Sequence, residues 1–196
     1  MVKNKNSVKN ILIVGVGGQG VILASDILSE VAMLSGLDVK KSEVHGMAQR
    51  GGVVSSHVRF GKRVSSPIIP KGEADVLLSF ELAEALRWLG FLKAGGRLIV
   101  NSQRVVPPIV STGLAQYPEG AEELLKKSST SPILVDALGI AEELGNPRLV
   151  NTILLGMTSR LLELPVSVWK KVVSQRVPKA FKELNLKAFE KGQSLV

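Results

Sequence analysis

A short apolar run that ends in a row of glycines and leads straight into a helical pattern is the strongest fold signal in this chain. Residues 10–16 read NILIVGV, which is typical of a parallel strand buried on both faces. The segment GVGGQG at 15–20 follows, and apolar residues then recur at three- and four-residue spacing from Ala24 to Leu34, before Gly36. This order predicts the opening unit of an α/β sheet, with a strand, a glycine turn and a helix.

Further strand and helix patterns alternate along the chain as far as about residue 147. Strands are expected from Val39 and at 53–60, 63–69, 75–80, 97–101 and 133–138, and helices at 81–92 and about 119–127. The runs VVSSHVRF and RVSSPII, separated by Gly61-Lys62, predict an antiparallel hairpin at 53–69. The fold class is therefore α/β, with three layers in the order helix, sheet, helix and a mixed, Rossmann-like sheet.

The last quarter of the chain contains helical patterns and no strand signal. Helices are predicted at 148–163, 166–176 and 179–191, and their apolar residues should partly cover the sheet and partly meet a partner. Asn146 and Asn151 are expected to cap the helix that starts at 148. We expect residues 1–196 to form one domain, with an α/β core at about 9–147 and a helical part at about 148–192.

The residue types exclude several kinds of chemistry. The chain contains no cysteine and two histidines, His45 and His57, so disulfides, thiolate catalysis and cysteine-ligated clusters are excluded, and no metal site is expected. We assign no catalytic residue. No apolar run approaches the roughly 20 residues that cross a bilayer, and the first ten residues lack a signal-peptide pattern. We therefore expect a cytoplasmic protein that does not interact with a membrane.

The net charge of +8 lies at the two ends of the chain. Residues 1–10 contribute +3 and residues 168–196 contribute +5, which leaves 11–167 neutral. The eight aromatic residues are scattered through apolar stretches and form no stacking surface for bases. We therefore do not expect nucleic acid as a partner.

The glycine turn is a candidate ligand site. Its G-x-G-x-x-G spacing after a strand permits close approach of a phosphate to a helix N-terminus. Dinucleotide-binding units also need an acidic residue at the end of the second strand, and here Glu43 follows Lys40-Lys41, which could equally accept a phosphate. The glycines could instead serve only to pack the helix on the sheet. The candidates in this turn are Gly15, Gly17, Gly18, Gln19 and Gly20.

A second candidate is the polar loop EVHGMAQRGG at 43–52, which should lie at the same sheet edge as the glycine turn. Arg50 could hold a phosphate or carboxylate, or could form an ion pair within or between subunits. His45 fits a hydrogen-bonded structural histidine better than a catalytic base. The ligand or interface candidates in this loop are Glu43, His45, Gln49, Arg50, Gly51 and Gly52.

These segments resemble the gamma-type subunit, or gamma domain, of 2-oxoacid:ferredoxin oxidoreductases, most closely the small subunit of the indolepyruvate type. The resemblance spans nearly the whole chain and is most specific in HGMAQRGG. It is carried by GVGGQG at 15–20, EVHGMAQRGG at 43–52, VSSHVRFG at 54–61, GEADVLLSFELAEALR at 72–87 and LGNPRLVNTILLG at 144–156.

The resemblance implies a subunit of a complex that oxidatively decarboxylates a 2-oxoacid to an acyl-coenzyme A. In that family, thiamine diphosphate and 4Fe–4S clusters belong to the large partner subunit, electrons pass to ferredoxin, and coenzyme A is a substrate of the complex. This chain would bind no cofactor itself and would complete the partner's active-site cleft.

Several alternatives stay open at this point. The chain could belong to a pyruvate or 2-oxoglutarate enzyme, because those gamma subunits share much of the signature. It could be a stand-alone NAD(P)-binding oxidoreductase that uses the 15–20 turn, or a purely structural homo-oligomeric scaffold. The particular 2-oxoacid, the ligand of the glycine turn and the self-association of the isolated chain are also open.

Overall fold

The computed structural model describes residues 8–46, 52–106, 110, 113, 116–128 and 130–196. Within these ranges, six strands form one sheet in the order β2-β3-β1-β4-β5-β6. The strands are β1 (Lys9–Val16), β2 (Asp38–His45), β3 (Val53–Gly61), β4 (Ala74–Ser79), β5 (Leu92–Asn101) and β6 (Ile133–Val135).

The sheet is mixed, as predicted. Strands β1, β4, β5 and β6 run parallel to one another, and β3 is antiparallel to both β1 and β2. Consequently β2 points in the same direction as β1, and the carboxyl ends of both strands lie at one edge of the sheet.

The prediction of an antiparallel hairpin at 53–69 is wrong. Residues 53–61 pair with β2 and β1, so the hairpin joins β2 to β3, and 63–69 forms no strand. Pro67 and Pro70 have no N–H for a sheet ladder. The carbonyls of Ser66 and Ile68 instead accept hydrogen bonds from the Arg59 guanidinium, at 2.9 and 3.0 Å.

Seven α-helices lie in the described part of the chain, of which α6 coincides with the predicted 166–176. The helix predicted at 81–92 ends at Trp88, because a 3-10 turn at Leu89–Phe91 leads into β5, which starts earlier than expected. No helix among the described residues is both long and apolar enough to cross a membrane. The helices are α1 (Val21–Leu34), α2 (Leu82–Trp88), α3 (Ala121–Lys127), α4 (Ala137–Glu143), α5 (Val150–Leu161), α6 (Val166–Arg176) and α7 (Lys182–Gln193).

The central strands are buried on both faces, which produces the three predicted layers. Ile11 and Ile13 of β1 belong to a core with α1 and α4–α7, whereas Leu12 and Val14 belong to a second core with α2 and α3. All four side chains are completely buried. Alternating residues of a strand point to opposite faces, so one uniformly apolar strand serves two cores.

The C-terminal helices extend the first core outward. We expected part of their apolar surface to cover the sheet and part to meet a partner. Within the chain, α6 and α7 pack mainly on α1 and α5, which themselves lie on the sheet. Helices α5 and α7 approach closely, since a Cβ atom at Gly156 would lie 2.2 Å from the carbonyl oxygen of Phe189. Trp169 and Phe189 fill this outer layer and are completely buried.

His57 on β3 is a structural histidine. Its side chain is 6% exposed, and its Nδ1 accepts a hydrogen bond from the backbone N–H of Ile69 at 3.1 Å. The rings of Trp88 and Phe91 contact it edge-on. Burial lowers the pKa of His57 below its ordinary value of 6.5, because the charged form loses hydration.

Stability should therefore fall in acid through His57. The unfolded chain takes up a proton near pH 6.5 while the folded chain resists it, so the free energy of unfolding should decrease as the pH falls below 6.5. In His57→Asn the amide oxygen can replace Nδ1 as acceptor without titrating. Urea unfolding between about pH 5 and 8 should show a smaller loss of stability in the variant, and equal slopes would contradict this role.

Candidate functional site

The glycine turn lies beside the described ends of the 43–52 loop, at the carboxyl edge of the sheet. The backbone N–H of Gly17 donates to the carbonyl of Gly52 at 2.8 Å. The N–H of Gly46 donates to the carbonyl of Val53 at 2.9 Å and closes the base of the loop. These bonds bring the two segments with the strongest sequence signals together.

Gln19 fastens the turn to the neighbouring strand ends. Its Oε1 accepts from the backbone N–H of Val16 at 2.9 Å, and its Nε2 donates to the carbonyl of Phe80 at 3.0 Å and to Oε1 of Gln103 at 3.2 Å. Gln19 therefore shapes the edge of the sheet through its internal hydrogen bonds.

The amide of Gln103 links this edge to β5. Its Oε1 accepts from both Gln19 and Nδ2 of Asn101, the latter at 3.4 Å. The Oδ1 of Asn101 in turn accepts the N–H of Ala137, the first residue of α4, at 3.1 Å. Gln103 also lines the adjoining cleft, and its Nε2, a potential donor, makes no hydrogen bond among the described residues.

Asn151 on α5 closes the turn from the other side. Its Nδ2 donates to the carbonyl of Gly20 at 2.6 Å, although 131 positions separate the two residues. The side-chain Oδ1 is buried and has no partner among the described residues. The predicted capping role is correct for Asn146, whose Oδ1 accepts the N–H of Arg148 at 3.0 Å, but Asn151 instead binds the glycine turn.

A cleft of about 350 Å³ opens between the glycine turn and the start of α5. Arg148 stands exposed at its rim and has no ion-pair partner in the described ranges. The N-terminus of α1, a helix of 14 residues, lies at the turn and adds a partial positive charge. The cleft therefore favours an anionic group. It is lined by Gly18, Gln19, Gly20, Leu23, Gln103, Leu138, Pro147, Arg148, Val150 and Asn151.

Glu43 is engaged in an ion-pair cluster beside α1. The Nζ of Lys41 contacts Oε1 of Glu43 at 2.6 Å and also the carboxylate of Asp26, and Ser25 Oγ lies 3.2 Å from Glu43 Oε1. Burial alone would lower the pKa of Lys41, but its hydrogen bonds to both carboxylates outweigh that effect and raise it. The ion pair gives Glu43 a structural role, which weakens the dinucleotide interpretation.

The remaining loop candidates lie wholly or partly outside the described residues. The backbone of His45 ends β2, but its side chain lies outside the described residues, as do Gln49, Arg50 and Gly51. In the part of the chain that is described, no group of three His, Asp or Glu residues could hold a metal ion.

Sequence reasoning missed Glu81, a buried carboxylate that follows β4 at the same edge. It is 1% exposed, and its Oε2 caps α2 by accepting the N–H of Glu84 at 3.0 Å. Its Oε1 accepts from the N–H of Val105 at 3.2 Å and the hydroxyl of Tyr117 at 2.5 Å. Burial, together with the Glu81 carboxylate, raises the pKa of Tyr117. Glu81 thus holds residues beyond β5 against the sheet edge, and its position directly after a buried strand was the available signal.

The fold matches solved gamma subunits of 2-oxoacid oxidoreductases. The gamma subunit of the keto/oxoacid ferredoxin oxidoreductase from Geobacter sulfurreducens superimposes with a TM-score of 0.71 and 26% identity, covering 95% of this chain and 97% of that subunit. The three layers and the mixed sheet are therefore those of a gamma-type subunit.

Sequence comparison assigns the family. The model for pyruvate ferredoxin/flavodoxin oxidoreductases matches residues 10–195, so the chain belongs to this family. Indolepyruvate oxidoreductase subunit IorB of Archaeoglobus fulgidus is 41% identical and covers 93% of this chain and 92% of its own length. IorB of Pyrococcus horikoshii is 40% identical, with 93% of both chains covered. The chain is an IorB-like subunit of a 2-oxoacid:ferredoxin oxidoreductase complex.

The Gly20–Asn151 contact predicts unequal effects of two alanine substitutions in the turn. Gly18 and Gly20 both have positive φ, of 97° and 84°, so either substitution should cost about 1–2 kcal/mol of backbone strain. A Cβ atom at Gly20 would also lie 2.5 Å from Nδ2 of Asn151, whereas the space at Gly18 is open. Gly20→Ala should therefore lose about 1 kcal/mol more in urea unfolding, for the broken hydrogen bond. Equal losses would show that the contact contributes no stability.

Proposed function

We propose that this chain is the cofactor-free small subunit of an indolepyruvate-type, or arylpyruvate-type, 2-oxoacid:ferredoxin oxidoreductase. In the complete reaction the 2-oxoacid loses carbon dioxide, its acyl group is joined to the thiol of coenzyme A, and two electrons reduce ferredoxin. Thiamine diphosphate on the large partner subunit would stabilise the carbanion left by decarboxylation. The choice of an arylpyruvate is supported by the nearly full-length likeness to the IorB proteins.

The residues of this chain fit a role without redox centres of its own. Iron–sulfur clusters are held mainly by cysteine thiolates, and the chain contains no cysteine. The clusters of the complex therefore belong, in this proposal, to the large subunit. This chain would supply a rigid sheet edge that forms one wall of the partner's active-site cleft.

The observation that carries the proposal is the donor-lined cleft at the glycine turn. Nε2 of Gln103, the guanidinium of Arg148 and the N-terminus of α1 all favour an anion there. Coenzyme A carries several phosphate charges far from its reactive thiol. Binding those phosphates would let this chain orient the thiol without taking part in the chemistry.

Reconstitution tests the proposal. The full chain and the large subunit, purified separately and then mixed, should reduce ferredoxin when indolepyruvate and coenzyme A are both present. Neither subunit alone should do so, because the active-site cleft needs both. Pyruvate and 2-oxoglutarate, assayed in parallel, should be poorer substrates.

Three results would contradict this function. Full activity of the large subunit alone would remove the need for this chain. A clear preference for pyruvate or 2-oxoglutarate would reassign the substrate class. Micromolar binding of NAD(H) or NADP(H) to the isolated chain, measured by calorimetry, would favour the stand-alone oxidoreductase.

Arg148 provides a sharper test within the assembled complex. Arg148→Ala should raise the KM for coenzyme A about tenfold, the effect of losing one charged contact, and leave kcat nearly unchanged. The KM for indolepyruvate should not move. The matched control is Arg63→Ala, because Arg63 is exposed and lies away from the cleft. An unchanged KM for coenzyme A in Arg148→Ala would exclude phosphate binding by this residue.

A further inference from the structure

A second concave site, here called the corner groove, lies next to the cleft. It has a volume of about 210 Å³ and runs between α1, the turn that precedes α5 and the corner that joins α6 to α7. Leu23, Arg148 and Asn151 line both the groove and the cleft. The apolar part of its lining consists of Leu23, Ile27, Leu149, Val177, Pro178 and Phe181.

Hydrogen bonds between helices hold the walls of the corner groove in place. Nε of Arg176 at the end of α6 contacts Glu30 on α1 at 2.5 Å. The hydroxyl of Thr152 on α5 lies 2.7 Å from Oδ1 of Asn185, whose Nδ2 donates to the carbonyl of Phe181 at 2.9 Å. The turn that carries Phe181 is therefore fixed to α5, and the groove is formed before anything binds.

The corner groove leaves large apolar side chains in contact with water. Phe181 is 44% exposed and Leu23 is 40% exposed. An exposed aromatic side chain at the wall of a formed groove is typical of a protein interface, because it offers a large apolar surface and has only two side-chain torsions to order on binding.

Exposed cations lie at the corner groove and next to it in sequence. Arg148 lines the groove, and Lys179 and Lys182 directly follow the lining residues Pro178 and Phe181 in the chain. These three cations are exposed, and none has an ion-pair partner within the described ranges. Glu183 is an exposed acid next to Lys182, but the net charge of 168–196 remains +5. An apolar groove lined by Arg148, and by residues of a segment with this excess of positive charge, favours an acidic partner.

We propose that the corner groove binds an acidic segment of the large subunit that inserts one large apolar side chain between Leu23 and Phe181. The groove is smaller than the roughly 300–1,000 Å³ of typical small-molecule sites, and its volume suits one or two side chains. The corner groove adjoins the cleft at the glycine turn. Binding of the partner's segment in the groove would therefore place this edge of the sheet against the partner's active-site cleft. This inference rests on the proposed function.

Affinity measurements with the large subunit test the proposal. Phe181→Ala should weaken binding of the full chain to that subunit about tenfold, as loss of an aromatic anchor does. The double variant K179E/K182E keeps the apolar lining and should weaken binding at least tenfold at about 50 mM salt, and less at about 300 mM. If Phe181→Ala perturbs folding, K179E/K182E still tests the proposal, because it changes only exposed side chains.

Matched controls lie outside the corner groove. Leu124→Ala removes another exposed apolar side chain, on α3, and K62E/K71E reverses two exposed lysines between β3 and β4. Both controls should bind within about twofold of the wild type, since surface changes outside an interface have little effect.

Each outcome decides one of the two proposals. Wild-type affinity of both Phe181→Ala and K179E/K182E would overturn the corner groove as the docking site and leave the proposed function standing. Failure of the wild-type chain to bind the large subunit would overturn the proposed function itself. If the wild-type chain is a dimer that Phe181→Ala dissociates while large-subunit binding is unchanged, the occupant is a second copy and the proposal is wrong.

Discussion

Burial of β1 on both faces is the constraint from which the rest of the fold follows. Ile11, Leu12, Ile13 and Val14 are completely buried, so neither face of this strand can accept a charged side chain. Hydrogen bonds to β3 and β4 satisfy its backbone, which places the strand near the centre of the sheet. At the end of β1 the chain must turn sharply out of this apolar interior, and the glycine turn between β1 and α1 makes that change of direction.

The polar groups at the exit of the sheet are satisfied by side-chain amides. Gln19, Gln103 and Asn101 connect the ends of β1, β4 and β5 with the start of α4. This network fixes the edge of the sheet, and two of its members, Gln19 and Gln103, also line the neighbouring cleft. In the proposed function the same residues would hold the strand ends together and border an anion site, and neither role needs a catalytic side chain.

Local sequence patterns predicted the structural elements that are formed by neighbouring residues. They did not predict contacts between residues that are far apart in the sequence. The glycine turn and α6 follow from periodicity and turn chemistry within about 15 residues. Asn151 meets Gly20 across 131 positions, and Tyr117 meets Glu81 across 36, so no local pattern could reveal either pair. The hairpin at 53–69 failed because β-branched composition outweighed the two prolines in the prediction.

The hydrogen bond between Gly20 and Asn151 can form only late in synthesis of the chain, after α5 has been made. A ribosome adds about 5–20 residues per second and N-terminal parts generally fold first, so the strand–turn–helix unit leaves the exit tunnel several seconds before α5. Until α5 emerges, the carbonyl of Gly20 can bond only to water or to its own helix. A nascent or truncated chain therefore lacks the finished cleft, so a partner subunit that bound there could distinguish a completed chain from an unfinished one.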